Sequence, residues 1–240
     1  MAIFGSALWK SLWENLVFVL ICGGIAAGLA ILAKVAERFL PTTRRISKAR
    51  RICIIAICSA IAAILHIFDF SIPFLAPFFY KLDFSELPVM LCGFYLGPSA
   101  AVICEGLKII LKLFLKGTST AFVGDFANFT VGCSLVLPAV IIYHAKKTKG
   151  SALWGLVAGT LFMTLFGSAF NALYLLPTFA KRFMSAEDII AAGAAIFPAI
   201  DSFWTLALMC VVPLNLLKGT LVSILTMLLY KRVARPLFDK

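Results

Sequence analysis

The chain consists largely of long apolar runs separated by short polar segments. A membrane-spanning helix needs about 20 apolar residues to cross roughly 30 Å of hydrocarbon. The candidate spans are residues 14–40, 50–69, 85–98, 99–116, 121–145, 151–177 and 201–231. The third and fourth are short and meet at Gly97-Pro98, which predicts a tight turn between two half-length or tilted helices. The pattern therefore predicts an all-α integral membrane protein.

Composition narrows the possible classes of protein. Of the 240 residues, 62% are hydrophobic and 14% are charged, whereas soluble domains have roughly 45–50% apolar and about 25% charged residues. A soluble enzyme, a nucleic-acid-binding module and a disordered chain are therefore excluded. The protein is therefore expected to lie in the lipid bilayer and to have no nucleic-acid partner.

The net charge of +11 is distributed as in a multi-pass membrane protein. Fourteen of the 22 Lys and Arg residues lie in 34–51, 146–149 and 231–240, at the ends of apolar runs. Cytoplasmic loops carry an excess of such residues, so these segments are expected inside. This topology gives a multi-pass plasma-membrane protein with its N-terminus outside and its C-terminus in the cytoplasm.

The basic segment around 41–51 predicts a boundary. Residues 1–48 are expected to form an additional N-terminal transmembrane helix and a basic cytoplasmic hinge, and residues 49–240 a six-helix membrane domain. Gly23, Gly24 and Gly28 either form a close-packing stripe on the additional helix or reflect the frequent use of glycine in membrane spans.

Polar side chains within apolar spans are costly, so each is a functional hypothesis. Asn215 and Lys218 share one face of the last span, directly after Pro213, and Asn171 lies in the span before it. An amide donates and accepts hydrogen bonds at once, so such a site suits a neutral or weakly charged small molecule. The alternative for Asn215 and Lys218 is a hydrogen-bonded pair between helices.

A second group of polar residues forms one charged stripe. Glu105, Lys108 and Lys112 are spaced i, i+3 and i+7 along the fourth span. This spacing places them on the same helix face. The stripe is compatible with ligand contact and, equally, with an internal ladder of ion pairs.

The sequence contains no recognisable catalytic motif. His66 and His144 are expected at opposite membrane ends, and no nucleophile, metalloprotease or phosphate-binding motif is present. The seven cysteines include no C-x-x-C pair, so no metal site is expected. An enzyme is therefore not expected, although an intramembrane lipid-processing enzyme and a helix-packing accessory subunit stay as alternatives.

Several ordered motifs resemble the substrate-binding S components of energy-coupling-factor (ECF) vitamin transporters, and specifically their riboflavin type. They are residues 81–88 (KLDFSELP), 93–98 (GFYLGP), 116–120 (KGTST), 124–129 (GDFANF), 136–138 (VLP) and 213–219 (PLNLLKG). The resemblance covers roughly residues 50–235. It implies a six-helix subunit that binds riboflavin or a related flavin from outside, as transported ligand rather than cofactor.

The resemblance also implies roles for particular residues and partners. Asn215, Lys218 and Asn171 match ligand contacts of the family. Lys108, Asp83 and Asn128 are further substrate-binding candidates of this chain. Ala56 and Ala60 match the A-x-x-x-A face that contacts a transmembrane coupling protein, and small residues at i and i+4 allow such close approach. Two cytoplasmic ATPase subunits would supply the energy. An S component for another vitamin or small heterocycle is the alternative.

Overall fold

The computed structural model describes residues 16–41, 46–118, 120 and 122–230, and these fold almost entirely into helices. In chain order the helices are α1 (Leu16–Phe39), α2 (Lys48–Ile67), α3 (Glu86–Leu96), α4 (Pro98–Lys116), α5 (Val123–Lys146), α6 (Lys149–Arg182), α7 (Ala186–Ala194) and α8 (Phe203–Leu229). An isolated antiparallel bridge joins Phe70 to Leu82 in the 68–85 loop. The predicted all-α fold class is confirmed.

The described helices differ in whether they are long and apolar enough to cross a membrane. By length and composition α2, α5, α6 and α8 can each cross a bilayer. The shorter α3 has 11 residues, and α4 is the helix that carries the predicted charged stripe. Between α3 and α4, Gly97 has a φ of +104°, which glycine adopts without steric cost, and Pro98 begins the next helix. The predicted tight turn is confirmed.

The last two long helices each contain one widened turn. Residues Asn171–Leu175 of α6 and Ala207–Val211 of α8 form π-helical turns, and Pro177 and Pro213 follow them by two residues. Within an α-helix a proline ring clashes with the carbonyl four residues earlier, and that carbonyl lies inside the widened turn in both cases. Such turns often occur at functional sites, and both lie beside the cavity described below.

Close packing of α5 against α6 forms the centre of the fold. A Cβ built at Gly159 would lie 2.3 Å from the carbonyl oxygen of Leu135, and one at Gly155 would lie 2.5 Å from that of Ala139. Glycine at these positions therefore lets the two backbones approach each other. The buried residues of α3 pack into the same core.

Helix α1 packs along the outside of α4 and α5. Its contact residues are Ala26, Leu29, Ala30 and Ala33. Near its C-terminal end, the Glu37 carboxylate accepts a hydrogen bond of 3.0 Å from the backbone N–H of Ser99, at the N-terminus of α4. The proposed division of the chain at residue 48 stays a prediction, and residues 1–15 and 42–45 lie outside the described ranges.

The glycine stripe of α1 makes no contact with the rest of the described chain. A Cβ built at Gly23, Gly24 or Gly28 would meet no atom within 4 Å. The alanine face of α1, rather than its glycine face, therefore packs against the core.

Residues 178–200, between the apolar runs of the last two spans, are mostly helical. Helix α6 continues to Arg182, and α7 follows after a short turn. The Ser185 hydroxyl caps α7 by accepting a hydrogen bond of 3.1 Å from the backbone N–H of Asp188. The acidic residues of the first turn interact favourably with the helix dipole. Ile189 and Gly193 are the buried residues of α7.

Candidate substrate-binding site

A cavity of about 210 Å³ lies at the end of the fold where α2 and α6 finish and α5 begins. The 68–85 loop, the N-terminal part of α5 and the widened turns of α6 and α8 form its walls. Five of the six predicted substrate-binding residues line it, namely Asp83, Asn128, Asn171, Asn215 and Lys218. Its aromatic lining comes from Phe79, Tyr80 and Phe179.

Three asparagine amides line the cavity, and they differ in their hydrogen bonds. Asn171 accepts from the Tyr80 hydroxyl at 3.0 Å and donates to the carbonyl of Gly167 at 2.7 Å. Asn128 donates to the carbonyl of Gly124 at 3.1 Å. Asn215 is 8% exposed, and its Nδ2 has no hydrogen-bond partner among the described residues. Asn215 therefore carries a buried donor without a partner among the described residues, and the residue itself lines the cavity.

The Asn215 side chain, on α8, packs closely against α6. Asn215 lies opposite Gly167, where a Cβ would come within 2.9 Å of Nδ2. A larger residue at position 167 would therefore occupy the space of the amide group. The sequence offered no signal for this role of Gly167, because it depends on how two helices cross.

Lys218 lies one turn below Asn215 and is held by two carboxylates. Its Nζ is 3.2 Å from Oδ2 of Asp83 and 2.9 Å from Oε2 of Glu86. Asp83 also accepts from the backbone N–H of Ser85 at 2.8 Å, and its Oδ2 lies 3.3 Å from Nδ1 of His66. The Asp83 carboxylate thereby joins the 68–85 loop to His66 of α2 and to Lys218 of α8.

Lys108, the sixth predicted residue, does not line the cavity. It is fully buried behind the cavity floor, where its Nζ lies 2.5 Å from Oε1 of Glu105 and 3.4 Å from Oε1 of Glu86. It also donates to the Ser85 hydroxyl at 3.1 Å. The ion-pair alternative for the charged stripe thus describes Lys108, whereas Lys112 of the same stripe reaches the cavity.

Further ion pairs surround the cavity mouth. Lys112 lies 2.5 Å from Asp125, whose other oxygen accepts from the hydroxyl of Thr118 at 2.6 Å. Asp69 pairs with Lys81 at 3.2 Å and with Lys116 at 2.9 Å. Partial burial alone would raise the pKa of Asp69, but the two lysines hold that pKa below its usual value.

Sequence reasoning missed several residues of this site. Glu86 lies within the 81–88 motif, and an acidic residue opening a short apolar helix was the signal that could have identified it. His66, which the sequence placed only at one membrane end, lies beside Asp83. In the described residues no three metal-ligating side chains converge on a possible ion site.

The predicted interface residues lie on the outer face of α2. Ala56 and Ala60 are both exposed, and Ile52, Ile57 and Ile61 around them are also exposed. This face is apolar and small-residue-rich at its centre. Within the described chain it is not covered by α1, which packs on α4 and α5.

A polar cavity in a bundle of membrane helices is compatible with a binding subunit for transport. The family model "ECF transporter, substrate-specific component" matches residues 50–230. The chain therefore belongs to this family of membrane transporter components, which are not enzymes, as the sequence predicted. Members of the family work with a coupling module and ATPases.

Individual relatives cover most of the chain. It is 36% identical over 186 residues to "Riboflavin transporter RibU" of Staphylococcus aureus (strain TCH60), which spans 77% of this chain and 90% of that relative. It is 26% identical to "Riboflavin transporter FmnP" of Bacillus subtilis (strain 168), over 76% of this chain and 91% of the relative.

A solved structure supports the same family. The protein described in "Structure and mechanism of the S component of a bacterial ECF transporter" is 33% identical to this chain and superposes with a TM-score of 0.62. The match covers 80% of this chain and 99% of that one.

Proposed function

We propose that this protein captures riboflavin outside the cell and presents it to an ECF coupling protein driven by two cytoplasmic ATPases. The observation that carries the proposal is the unpartnered, buried amide of Asn215 in a cavity that also contains the Lys218 ammonium. The relatives named as riboflavin transporters support the choice of ligand.

The chemistry of the cavity suits a flat heterocycle with a polar edge. The isoalloxazine ring of riboflavin carries alternating carbonyl and N–H groups, which complement amides that donate and accept. Phe79, Tyr80 and Phe179 offer aromatic faces against which the ring can stack. Asn215 and Lys218 are the proposed donors to its carbonyl oxygens.

The position of the cavity supports capture from outside. The basic segments 34–51 and 146–149 lie at one end of the helices, where α2 begins and α5 ends. The cavity lies at the other end, where α2 ends and α5 begins. With basic segments in the cytoplasm, the cavity opens outward. The N-terminus is then outside and the C-terminus inside, although residues 1–15 and 231–240 lie outside the described ranges.

The coupling protein is proposed to bind the outer face of α2. Ala56 and Ala60 provide the small side chains that allow a second helix to approach closely. The apolar residues around them would be buried on docking.

Titration of purified protein with riboflavin tests the proposed ligand. Saturable quenching of flavin fluorescence at 1:1 stoichiometry is expected because the ring stacks on aromatic side chains. Thiamine and biotin serve as control ligands. No quenching by riboflavin, together with saturable binding of another vitamin, would overturn the flavin assignment but keep the transport class.

A further inference from the structure

Five charged side chains form a cluster behind and beneath the floor of the cavity, referred to here as the floor cluster. They are Asp83, Glu86, Glu105, Lys108 and Lys218. All but Lys218 are at least nine-tenths buried, and Glu105 and Lys108 are fully buried. Only Asp83 and Lys218 line the cavity. The other three members support the site without facing the ligand.

Glu86 connects the two lysines of the floor cluster. Its Oε1 lies 3.4 Å from Nζ of Lys108 and 3.0 Å from Nζ of Lys218, while its Oε2 lies 2.9 Å from Lys218. Its charge is therefore shared between a lysine that faces the cavity and one that does not. Because the surroundings are buried, these interactions are weakly screened, and a change at one lysine alters the attraction felt by the other.

The charges of the cluster are nearly balanced. Three carboxylates face two ammonium groups, and His66 lies next to Asp83. Removing the charge of Lys108 leaves Glu105 without its cation and Glu86 with Lys218 alone. Lys218 is then drawn toward Glu86, and the negative potential at the cavity floor rises. Both effects disfavour an acceptor oxygen of a ligand.

We infer that Lys108 is a positioning residue that acts on the ligand through Glu86, which holds the Lys218 ammonium in place for binding. Lys108 makes no ligand contact itself. This inference rests on the proposed function and assigns Lys108 a role different from the direct ligand contact that was one of the two alternatives for the charged stripe.

Removing the Glu105–Lys108 pair with and without Glu86 tests the inference. E105Q/K108M is compared with wild type, and E86Q/E105Q/K108M with E86Q, so each comparison removes one positive and one negative charge that pair with each other. With Glu86 present, riboflavin affinity is expected to fall roughly tenfold or more, where tenfold corresponds to about 1.4 kcal/mol, because Glu86 then attracts Lys218 alone. With Glu86 replaced, the two affinities are expected to stay within about threefold of each other. Lys146→Met, on the exposed end of α5, is the control.

Each other outcome overturns the inference. If Lys108 touches the ligand, its removal weakens binding equally with Glu86 and without it. If the cluster is only structural, E105Q/K108M loses thermal stability while its affinity stays that of wild type. The wild-type titration separates failure of the proposed function, because it shows independently whether riboflavin binds.

A ligand-free measurement keeps the inference testable if riboflavin does not bind. Acetic anhydride labels lysine amines, and Lys218 reaches the cavity while its ammonium is held by Glu86. Mass spectrometry is expected to show slower acetylation of Lys218 in E105Q/K108M than in wild type, and equal rates in E86Q and E86Q/E105Q/K108M. An unchanged rate in E105Q/K108M would contradict positioning through Glu86.

Discussion

Replacing Asn215 by leucine should weaken ligand binding without weakening the fold. Leucine has nearly the shape of asparagine but lacks its donor and acceptor. In the free protein the Nδ2 group is buried without a partner, and such a group costs about 1–3 kcal/mol. Its removal is therefore expected to leave the thermal unfolding temperature unchanged or to raise it.

The bound state should respond in the opposite direction. A ligand carbonyl that Asn215 would have satisfied is left buried without its donor, at a cost of about 1–3 kcal/mol. That loss corresponds to an increase in Kd of about 5- to 150-fold. Riboflavin titration by fluorescence quenching and thermal unfolding in the same detergent measure the two effects on one preparation.

Thr226→Val is the matched control for this experiment. Thr226 lies on the same helix, α8, and is fully buried. Its Oγ1 has no hydrogen-bond partner among the described residues, and it does not line the cavity. Its replacement should leave riboflavin affinity unchanged. If Asn215→Leu binds riboflavin normally and unfolds at a lower temperature, the amide serves helix packing and the reasoning fails.

Three further predictions concern other parts of the molecule. Gly167→Ala should lower riboflavin affinity because its Cβ would lie 2.9 Å from the Asn215 amide, and unchanged affinity would show that α6 can move aside. Ala56→Leu and Ala60→Leu should impair cellular uptake while purified protein still binds riboflavin; loss of binding would instead indicate internal packing. The pKa of Asp69 is lowered in the folded protein by its ion pairs. These ion pairs therefore stabilise the loop fully above the pKa of the unfolded chain, about 3.9. The stabilisation is lost as pH falls through the pKa of the folded protein. The stability difference between wild type and Asp69→Asn should therefore vanish in acid, and a difference that persists there would contradict this role.

The sequence predicts the helices and one side of the site well because both depend on local patterns. Long apolar runs specify α2, α5, α6 and α8, and the spacing of Asn215 and Lys218 after Pro213 places them together on one helix face. Both residues line the cavity. These inferences require only the period of a helix and the cost of burying polar groups.

The remaining features depend on which helices meet. The spacing of Glu105 and Lys108 predicts a shared face but not its neighbour, and the Glu86 carboxylate comes from the separate helix α3. Hence Lys108 was expected in the cavity although it lies behind it. Similarly, the role of Gly167 arises from the crossing of α6 and α8, which no local pattern specifies.

The position of α1 bears on how an additional helix is compatible with coupling. An extra helix on the outer face of α2 would have to move before a partner could contact Ala56 and Ala60. Helix α1 instead packs on α4 and α5, with Glu37 bonded to the backbone N–H of Ser99 at 3.0 Å. Ala56 and Ala60 remain exposed. The proposed docking face and α1 therefore occupy separate parts of the surface, so docking at Ala56 and Ala60 would require no displacement of α1.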